Sequence, residues 1–169
     1  NAGGDSTFMN TDVTDDKDVK KLVANTVKKY GFLDIMVNNA AAHGRAALLE
    51  TTEEEWDRVM AVGAKGMFFG CKYAIEQMLK QNPRQGSEVR GRIVNISSQH
   101  GMIRAPNDFA YGVSKACAVY MTRQIAGDYA KFGIVCNAVA PGKILTGKTG
   151  AAISPEAISY SEDRTPWPR

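Results

Sequence analysis

Long apolar runs are missing from this chain of 169 residues. No stretch approaches the roughly 20 consecutive apolar residues that a membrane-spanning helix needs, so no membrane role is expected. Histidine is scarce. The two present, His43 and His100, lie far apart, so no metal site is expected. The three cysteines, Cys71, Cys117 and Cys136, show no CxxC spacing and sit in apolar contexts. They read as reduced core residues of an intracellular, cytoplasmic protein. Neither sign of charge dominates: 21 Lys and Arg face 18 Asp and Glu, for a net +3 spread along the chain. That distribution argues against a nucleic-acid-binding stripe. No leader pattern, internal repeat or low-complexity segment is visible. An initiator Met is also lacking. The chain opens "NAGGDSTFMNTDV" and closes "EDRTPWPR", so both ends read as unfinished and the sequence as a piece of a longer protein.

What is present is ordinary for one globular domain spanning residues 1–169: 44% hydrophobic and 23% charged residues, enough to bury a core. "STFMNTDVT" (Ser6–Thr14) reads as a short strand. Thr14 is placed to cap a helix, with Asp15 and Asp16 meeting its positive end. Val19, Leu22, Val23, Val27 and Tyr30 then recur at helical spacing, and Gly31 stops the run. "LDIMVNNAA", from Leu33, reads as a buried strand. "TEEEWDRVM" opens a second helix through a Thr52–Glu55 capping box, running to about Lys80. "NPRQGSEVRG" is a turn-rich loop. "RIVNISS" and "IVCNAVAPG" read as further strands. Between them lies a helix with Val113, Cys117, Tyr120, Met121 and Ile125 on one side, ended by Gly133; its Tyr120, Met121 and Ile125 face reads as core or subunit interface.

Strands that are near-continuous apolar runs, alternating with helices, specify an α/β fold: a doubly wound parallel sheet with helices on both faces. In such sheets the ligand crevice lies at the carboxyl ends of the strands. Small and polar residues gather at those ends here: Asp12, Asn38–Asn39, Ser97–Ser98 and Pro141–Gly142.

One stretch, "AYGVSK", carries specific chemistry. Tyr111 and Lys115 are four apart near a helix start, hence on one face. A free phenol has a pKa of about 10, too high for ready proton exchange at neutral pH. A neighbouring ammonium favours the phenolate. Ser98, closing the preceding strand, can hold a substrate oxygen while the phenol gives or takes a proton. That set suits carbonyl/alcohol interconversion with hydride carried by a bound cofactor.

The motifs "NNAA" (Asn38–Ala41), "NISS" with Ser98, "YGVSK" and "NAVAPGKILT" (Asn137–Thr146) occur in the order and spacing of the short-chain dehydrogenases/reductases. The sequence resembles that family throughout, most nearly its sugar, polyol and 3-oxoacyl reductase-like branch. The resemblance implies an incomplete Rossmann-like, three-layer domain binding NAD or NADP. Ser98 would orient the substrate, Tyr111 would be the general acid/base, and Lys115 would tune Tyr111 and bind the nicotinamide ribose. Asp12 would meet the adenine, and Asn39, Ala40, Pro141 and Gly142 would line the cofactor. Ile144 and Thr146 would touch its carboxamide end. Implied partners are a small-molecule alcohol or carbonyl substrate and further copies of the chain, as a dimer or tetramer.

Three departures stand out. The family's glycine-rich TGxxxGxG loop does not occur, nor does the residue that separates NAD from NADP. Gly63 stands where the family usually has an Asn that holds a relay water, and it reads equally as a helix kink or as a relaxed constraint. The family's closing strand and substrate loop are also not found. Blander readings stay open for Asn38 and Asn39 (satisfying backbone between strands), Asp12 (a turn residue) and Pro141–Gly142 (a strand stop). His43 and His100 read as loop polar residues. Two functional readings follow: an NAD(P)-dependent oxidoreductase, or a non-catalytic member that keeps the fold as a binding or partner subunit.

Overall fold

Asp15, one residue later than the sequence pattern places it, caps the first helix. Its side chain accepts from the Lys17 amide at 2.8 Å, and α1 runs Asp16–Tyr30. Gly31 ends α1 in the left-handed conformation at φ 82°, its amide donating to the Val27 carbonyl at 2.7 Å. The computed structural model describes residues 3–142, 144 and 154–162.

The strand expected at Ser6–Thr14 is not formed. A strand exists only through a ladder partner, and the side chains of this stretch meet α1 and, at Val13, the core instead. Thr7 Oγ1 meets the Tyr30 hydroxyl at 3.1 Å, and Lys29 Nζ lies 3.1 Å from an Asp5 oxygen.

The remaining expected strands form one parallel sheet. β1 (Ile35–Asn38), β2 (Gly91–Ile96) and β3 (Ile134–Val139) lie in that order, with Ile35 opposite Arg92 and Gly91 opposite Ile134. Ile93 and Asn95 on β2 are 0% exposed, as is Ile134 on β3. With Cys136 and with Val19, Val23, Met67 and Met78 from the helices, the apolar members form a single core. The opposite sheet face carries Ile35, Val37, Val135 and Val139, which are 39% to 56% exposed among the described residues.

The helical run after Thr52 is present but not uniform. Thr52 Oγ1 accepts from the Glu55 amide at 3.2 Å, which is one half of the expected capping box, and α2 covers Glu53–Met60. Glu55 Oε1 is instead buried without a hydrogen-bond partner, its side chain lying against Gly44. A π-helical turn occupies Ala61–Lys65, with the Gly66 amide bonded to the Ala61 carbonyl, before α3 (Gly66–Met78). The Gly63 position is thus the middle of an inserted wide turn.

α4 (Phe109–Tyr129) buries a face the sequence pattern did not single out: Ala110, Ser114, Lys115, Ala118 and Thr122. Tyr120, expected on the apolar side, is 68% exposed, while Met121 and Ile125 pack at the margin of the core. Small side chains at four-residue spacing make up this face: Thr122 meets Asn95 of β2 and Ser114 lies against Gly63 of the π turn, so close approach rather than hydrophobic bulk defines it. A last described helix, α5, covers Pro155–Glu162.

Asn95 anchors a buried polar network inside this core. Its amide donates to Thr122 Oγ1 at 2.9 Å and its carbonyl accepts from Asn38 Nδ2 at 2.8 Å, beside the thiols of Cys71 and Cys136. Burial pushes the Cys71 thiol up to about 12 and the Cys136 thiol up to about 11, so neither presents a thiolate near neutral pH. All three cysteines are free, and Cys117 is partly exposed. Iodoacetamide at pH 8 is therefore expected to modify Cys117 at least tenfold faster than the other two. Peptide mapping by mass spectrometry checks this, and equal labelling would show that the core opens readily.

Candidate active site

Three chain segments converge at the carboxyl ends of the strands. β1 runs into Asn39–Ala41, β2 into Ser97–Ser98 and β3 into Pro141–Gly142. With Ile96, His43, Tyr111 and Lys115 these residues line a cavity of about 410 Å³, within the size range of small-molecule sites. Asn39 and Ala40 also border a smaller cavity of about 190 Å³ that extends toward Val13, Met36 and Gly66.

Local hydrogen bonds position each functional side chain. Ser97 continues the β2–β3 pairing through its amide to the Val139 carbonyl at 2.8 Å, and its hydroxyl donates to the Lys115 carbonyl at 2.9 Å. That bond ties the end of β2 to the second turn of α4. Ser98, 8% exposed, opens a 3-10 turn (Gln99–Gly101), and its Oγ accepts from the His100 amide at 3.2 Å. The Gln99 amide donates to the Pro141 carbonyl at 3.1 Å. The two strand ends are thereby fixed to each other.

Lys115 is 2% exposed and spends one donor on the Ile96 carbonyl at 2.7 Å. Its ammonium lies 5.6 Å from the centre of the Tyr111 ring. Burial lowers the Lys115 pKa from its ordinary value, because a desolvated ammonium gains from losing its proton or from meeting an anion. Tyr111 sits in the first turn of α4, where the His43 ring stacks on its face with centroids 4.2 Å apart and the His100 ring stands perpendicular to it at 6.2 Å.

The expected site residues divide into two groups. Ser98, Tyr111, Lys115, Asn39, Ala40, Pro141 and Gly142 share the larger cavity. Ile144 is 59% exposed and is not among its lining residues, and Thr146 lies outside the described residues. Asp12 lines neither cavity. One of its oxygens accepts from both the amide and the hydroxyl of Thr14 at 2.8 Å, and those bonds hold its carboxyl below the usual range. That is the geometry of an Asx turn leading into α1. Asn38 lines the smaller cavity only, and its side-chain amide donates to the Asn95 side chain on the neighbouring strand at 2.8 Å.

The sequence reads His43 and His100 only as loop polar residues and does not single out Asp108, yet both rings lie against Tyr111 and Asp108 bonds His100. The available signal was a histidine two residues after Ser98 and an aspartate just ahead of the Tyr111 helix. Among the described residues, no group of three or more His, Cys, Asp or Glu side chains is arranged to hold a metal ion, and no helix is long and apolar enough to cross a membrane.

Gly63 packs directly on α4. A Cβ there would come 2.9 Å from Ser114 Oγ and 3.0 Å from Ser114 Cβ, while Ser114 Oγ itself donates to the Tyr111 carbonyl at 2.7 Å. Gly→Ala in an ordinary helix interior gains ~1 kcal/mol. Gly63→Ala is expected to reverse that sign and lose about 1–3 kcal/mol through overpacking, with Ser114→Ala restoring part of it. Urea denaturation of the single and double variants decides, and a stabilised Gly63→Ala protein would show that the contact yields.

A parallel sheet of this topology, with a cavity at the carboxyl ends of its strands, defines an incomplete Rossmann-like domain. The chain belongs to the short-chain dehydrogenase/reductase family: the family model described as enoyl-(acyl carrier protein) reductase matches residues 1–169. It is 42% identical over 160 residues to an uncharacterised oxidoreductase of Thermotoga maritima, covering 92% of this chain and 60% of that one. It is 40% identical over 144 residues to 2-(R)-hydroxypropyl-CoM dehydrogenase of Xanthobacter autotrophicus, covering 83% and 55%. Among solved structures, a short-chain dehydrogenase/reductase from Burkholderia xenovorans matches with TM-score 0.85 and 31% identity, over 99% of this chain and 62% of that chain. NAD+-bound xylitol dehydrogenase matches with TM-score 0.75 and 33% identity, over 82% and 51%. ElxO with NADP bound matches with TM-score 0.78 and 34% identity, over 92% and 58%. The chain thus spans 55% to 60% of the length of the two curated relatives named above.

Proposed function

We propose that the chain carries the catalytic centre of an NAD(P)-dependent oxidoreductase that interconverts an alcohol and a carbonyl. The observation that supports this most is the convergence of Ser98, Tyr111 and Lys115 on one cavity at the strand ends. Solved relatives bind NADP in one case and NAD+ in another, and either cofactor fits the reading. The small side chains of Ala40, Ala41 and Gly142 leave the cavity open between the strand ends, and Lys115 and Tyr111 offer a cation and a hydroxyl within it. Those residues suit a nicotinamide ribose, with Asn39 and Ala40 beside it and Pro141 and Gly142 across from it.

The bound cofactor supplies or accepts the hydride. In the reducing direction Ser98 Oγ donates to the substrate carbonyl oxygen and holds it near Tyr111. As the carbonyl carbon gains the hydride, the Tyr111 O–H bond breaks and its proton passes to the new alkoxide. The phenolate left behind is stabilised by the Lys115 ammonium, whose buried charge is costly until such an anion forms. Oxidation runs the same steps backward, with Tyr111 as base. A small-molecule substrate, self-association and a cytoplasmic location belong to the same reading; three unpaired thiols fit a reducing compartment.

The test is hydride transfer by the full chain carrying this sequence. A panel of alcohols, polyols and oxo compounds is screened with both cofactors by absorbance at the reduced nicotinamide band. Cofactor binding with no turnover on any class would favour a non-catalytic role instead.

A further inference from the structure

We propose that His100, anchored by Asp108, is a positioning residue that sets the Tyr111 ring against Ser98, with His43 closing the opposite side of the ring. His100 touches every part of that relation. Its amide donates to Ser98 Oγ at 3.2 Å. Its ring stands perpendicular to the Tyr111 ring, with centroids 6.2 Å apart. Its Nδ1 lies 2.7 Å from Asp108 Oδ2. A carboxylate only accepts, so Nδ1 carries the proton in this bond, whether the imidazole is neutral or charged.

Asp108 supplies the second observation. It occupies the N-cap position of α4, where an aspartate ordinarily accepts from the first free amides of its own helix. Here it makes no such cap bond, and its carboxylate turns outward to His100. The helix that carries Tyr111 is thus tied at its N-cap residue to the turn that carries Ser98, at the expense of its own cap. With side chains 27% and 15% exposed, the pair is largely shielded from competing water.

The surrounding packing leaves this turn little freedom. A Cβ on Gly101 would come 2.6 Å from the carbonyl carbon and oxygen of Lys115, and one on Gly112 would come 3.2 Å from the His100 carbonyl oxygen. Backbone therefore lies on backbone between the turn and α4. On the far side of the ring, the loop bearing His43 is held by Arg58 Nη2, which donates to the His43 carbonyl at 2.7 Å. The His43 ring lies 21° from parallel with Tyr111 at 4.2 Å. One imidazole stacked on the ring and another perpendicular to it confine the phenol, so its hydroxyl stays where Ser98 presents the substrate. Displacing a reacting group by 1 Å can cost about 100-fold in rate.

The consequence for turnover rests on the oxidoreductase reading, whereas the tie itself does not, so the experiment has two readouts on the full chain. Kinetics of Asp108→Ala and His100→Leu are expected to show kcat reduced about tenfold or more, with KM within about twofold. Asp108→Asn, which keeps an acceptor for Nδ1–H, recovers most of that loss. In parallel, NMR with ring-labelled tyrosine follows the Tyr111 signal, assigned by its disappearance in Tyr111→Phe. That signal shifts in Asp108→Ala and returns in Asp108→Asn. Should Asp108→Ala not fold, His100→Leu removes the same bond while filling the ring's space. An unmoved Tyr111 signal in the folded variants overturns the proposal. So does unchanged kcat, or an Asp108→Asn protein as impaired as Asp108→Ala. If the full chain transfers hydride to no substrate, the oxidoreductase reading fails, and the Tyr111 signal alone decides the tie.

Discussion

Tyr111→Phe, introduced into the full chain carrying this sequence, is expected to lower turnover by at least about 100-fold while leaving the melting temperature within a few degrees. The scale follows from the role. A positioned acid–base group contributes roughly 10²–10⁴-fold, and phenylalanine keeps the ring while deleting only the exchangeable proton. The structure supplies the reason for unchanged stability. The Tyr111 ring is packed by His43 and His100, contacts that phenylalanine reproduces. Steady-state kinetics and a thermal melt on the same sample make the check. Turnover within tenfold of the unaltered protein would remove Tyr111 from the acid–base role and pass that role to another group lining the cavity.

Lys115→Met separates catalysis from stability more sharply. Methionine keeps the length of the side chain and discards the charge. Turnover is expected to fall by about 100-fold or more, because a phenolate forming at Tyr111 loses the cation that balances it. Stability has two opposing contributions. Removing an ammonium from a position 2% exposed is favourable, whereas the Ile96 carbonyl loses its partner, at a cost of about 1–3 kcal/mol for a buried acceptor. The net change is expected to be small. The pH dependence is distinctive. Burial lowers the folded-state pKa of Lys115 below its unfolded value of 10.5, so between those two values the unfolded chain binds more protons. The unaltered protein therefore gains stability as pH rises through that window, and Lys115→Met lacks this gain. Urea midpoints measured from neutral to alkaline pH test this, and parallel curves for the two proteins would show that the lysine is not desolvated in solution.

Local patterns carried much of this site. "NNAA", Ser98 and the Tyr111–Lys115 pair each lie within one element, and the alternation of elements brings them to the same sheet end. α1 was legible for a similar reason: Val19 and Val23 are large, apolar and correctly spaced. What stayed hidden depended on partners distant in sequence. Ser6–Thr14 has strand-like composition, but strand formation is decided by a neighbour, and its side chains meet α1 and, at Val13, the core instead. The buried face of α4 is written in Ala, Ser and Thr, which carry little hydrophobic signal, whereas Tyr120, 68% exposed, lies on the face read as core or subunit interface and is not core. Asp108 resembles an ordinary helix cap, and only the folded chain shows its carboxylate given to His100. Ile144 belongs to a motif of the family, yet its side chain is 59% exposed rather than turned into the cavity.

The wide turn at Ala61–Lys65 also sets the chain's tolerance to changes of length. One residue of an α-helix corresponds to about 100° of rotation and roughly 1.5 Å of advance. Deleting a residue from this turn would restore a regular helix and swing all of α2 by about that angle relative to α3. Trp56 would leave Phe109, whose ring centre lies 5.9 Å from its own, and Val59, now 0% exposed, would face water. An insertion or deletion in the loop at Asn82–Arg90 rotates nothing, because slack in a surface connection is taken up locally. Length variation among homologous chains should therefore collect in that loop and avoid the helix. The π turn acts as a phase setting, holding the capped start of α2 in angular register with the helix that delivers Tyr111.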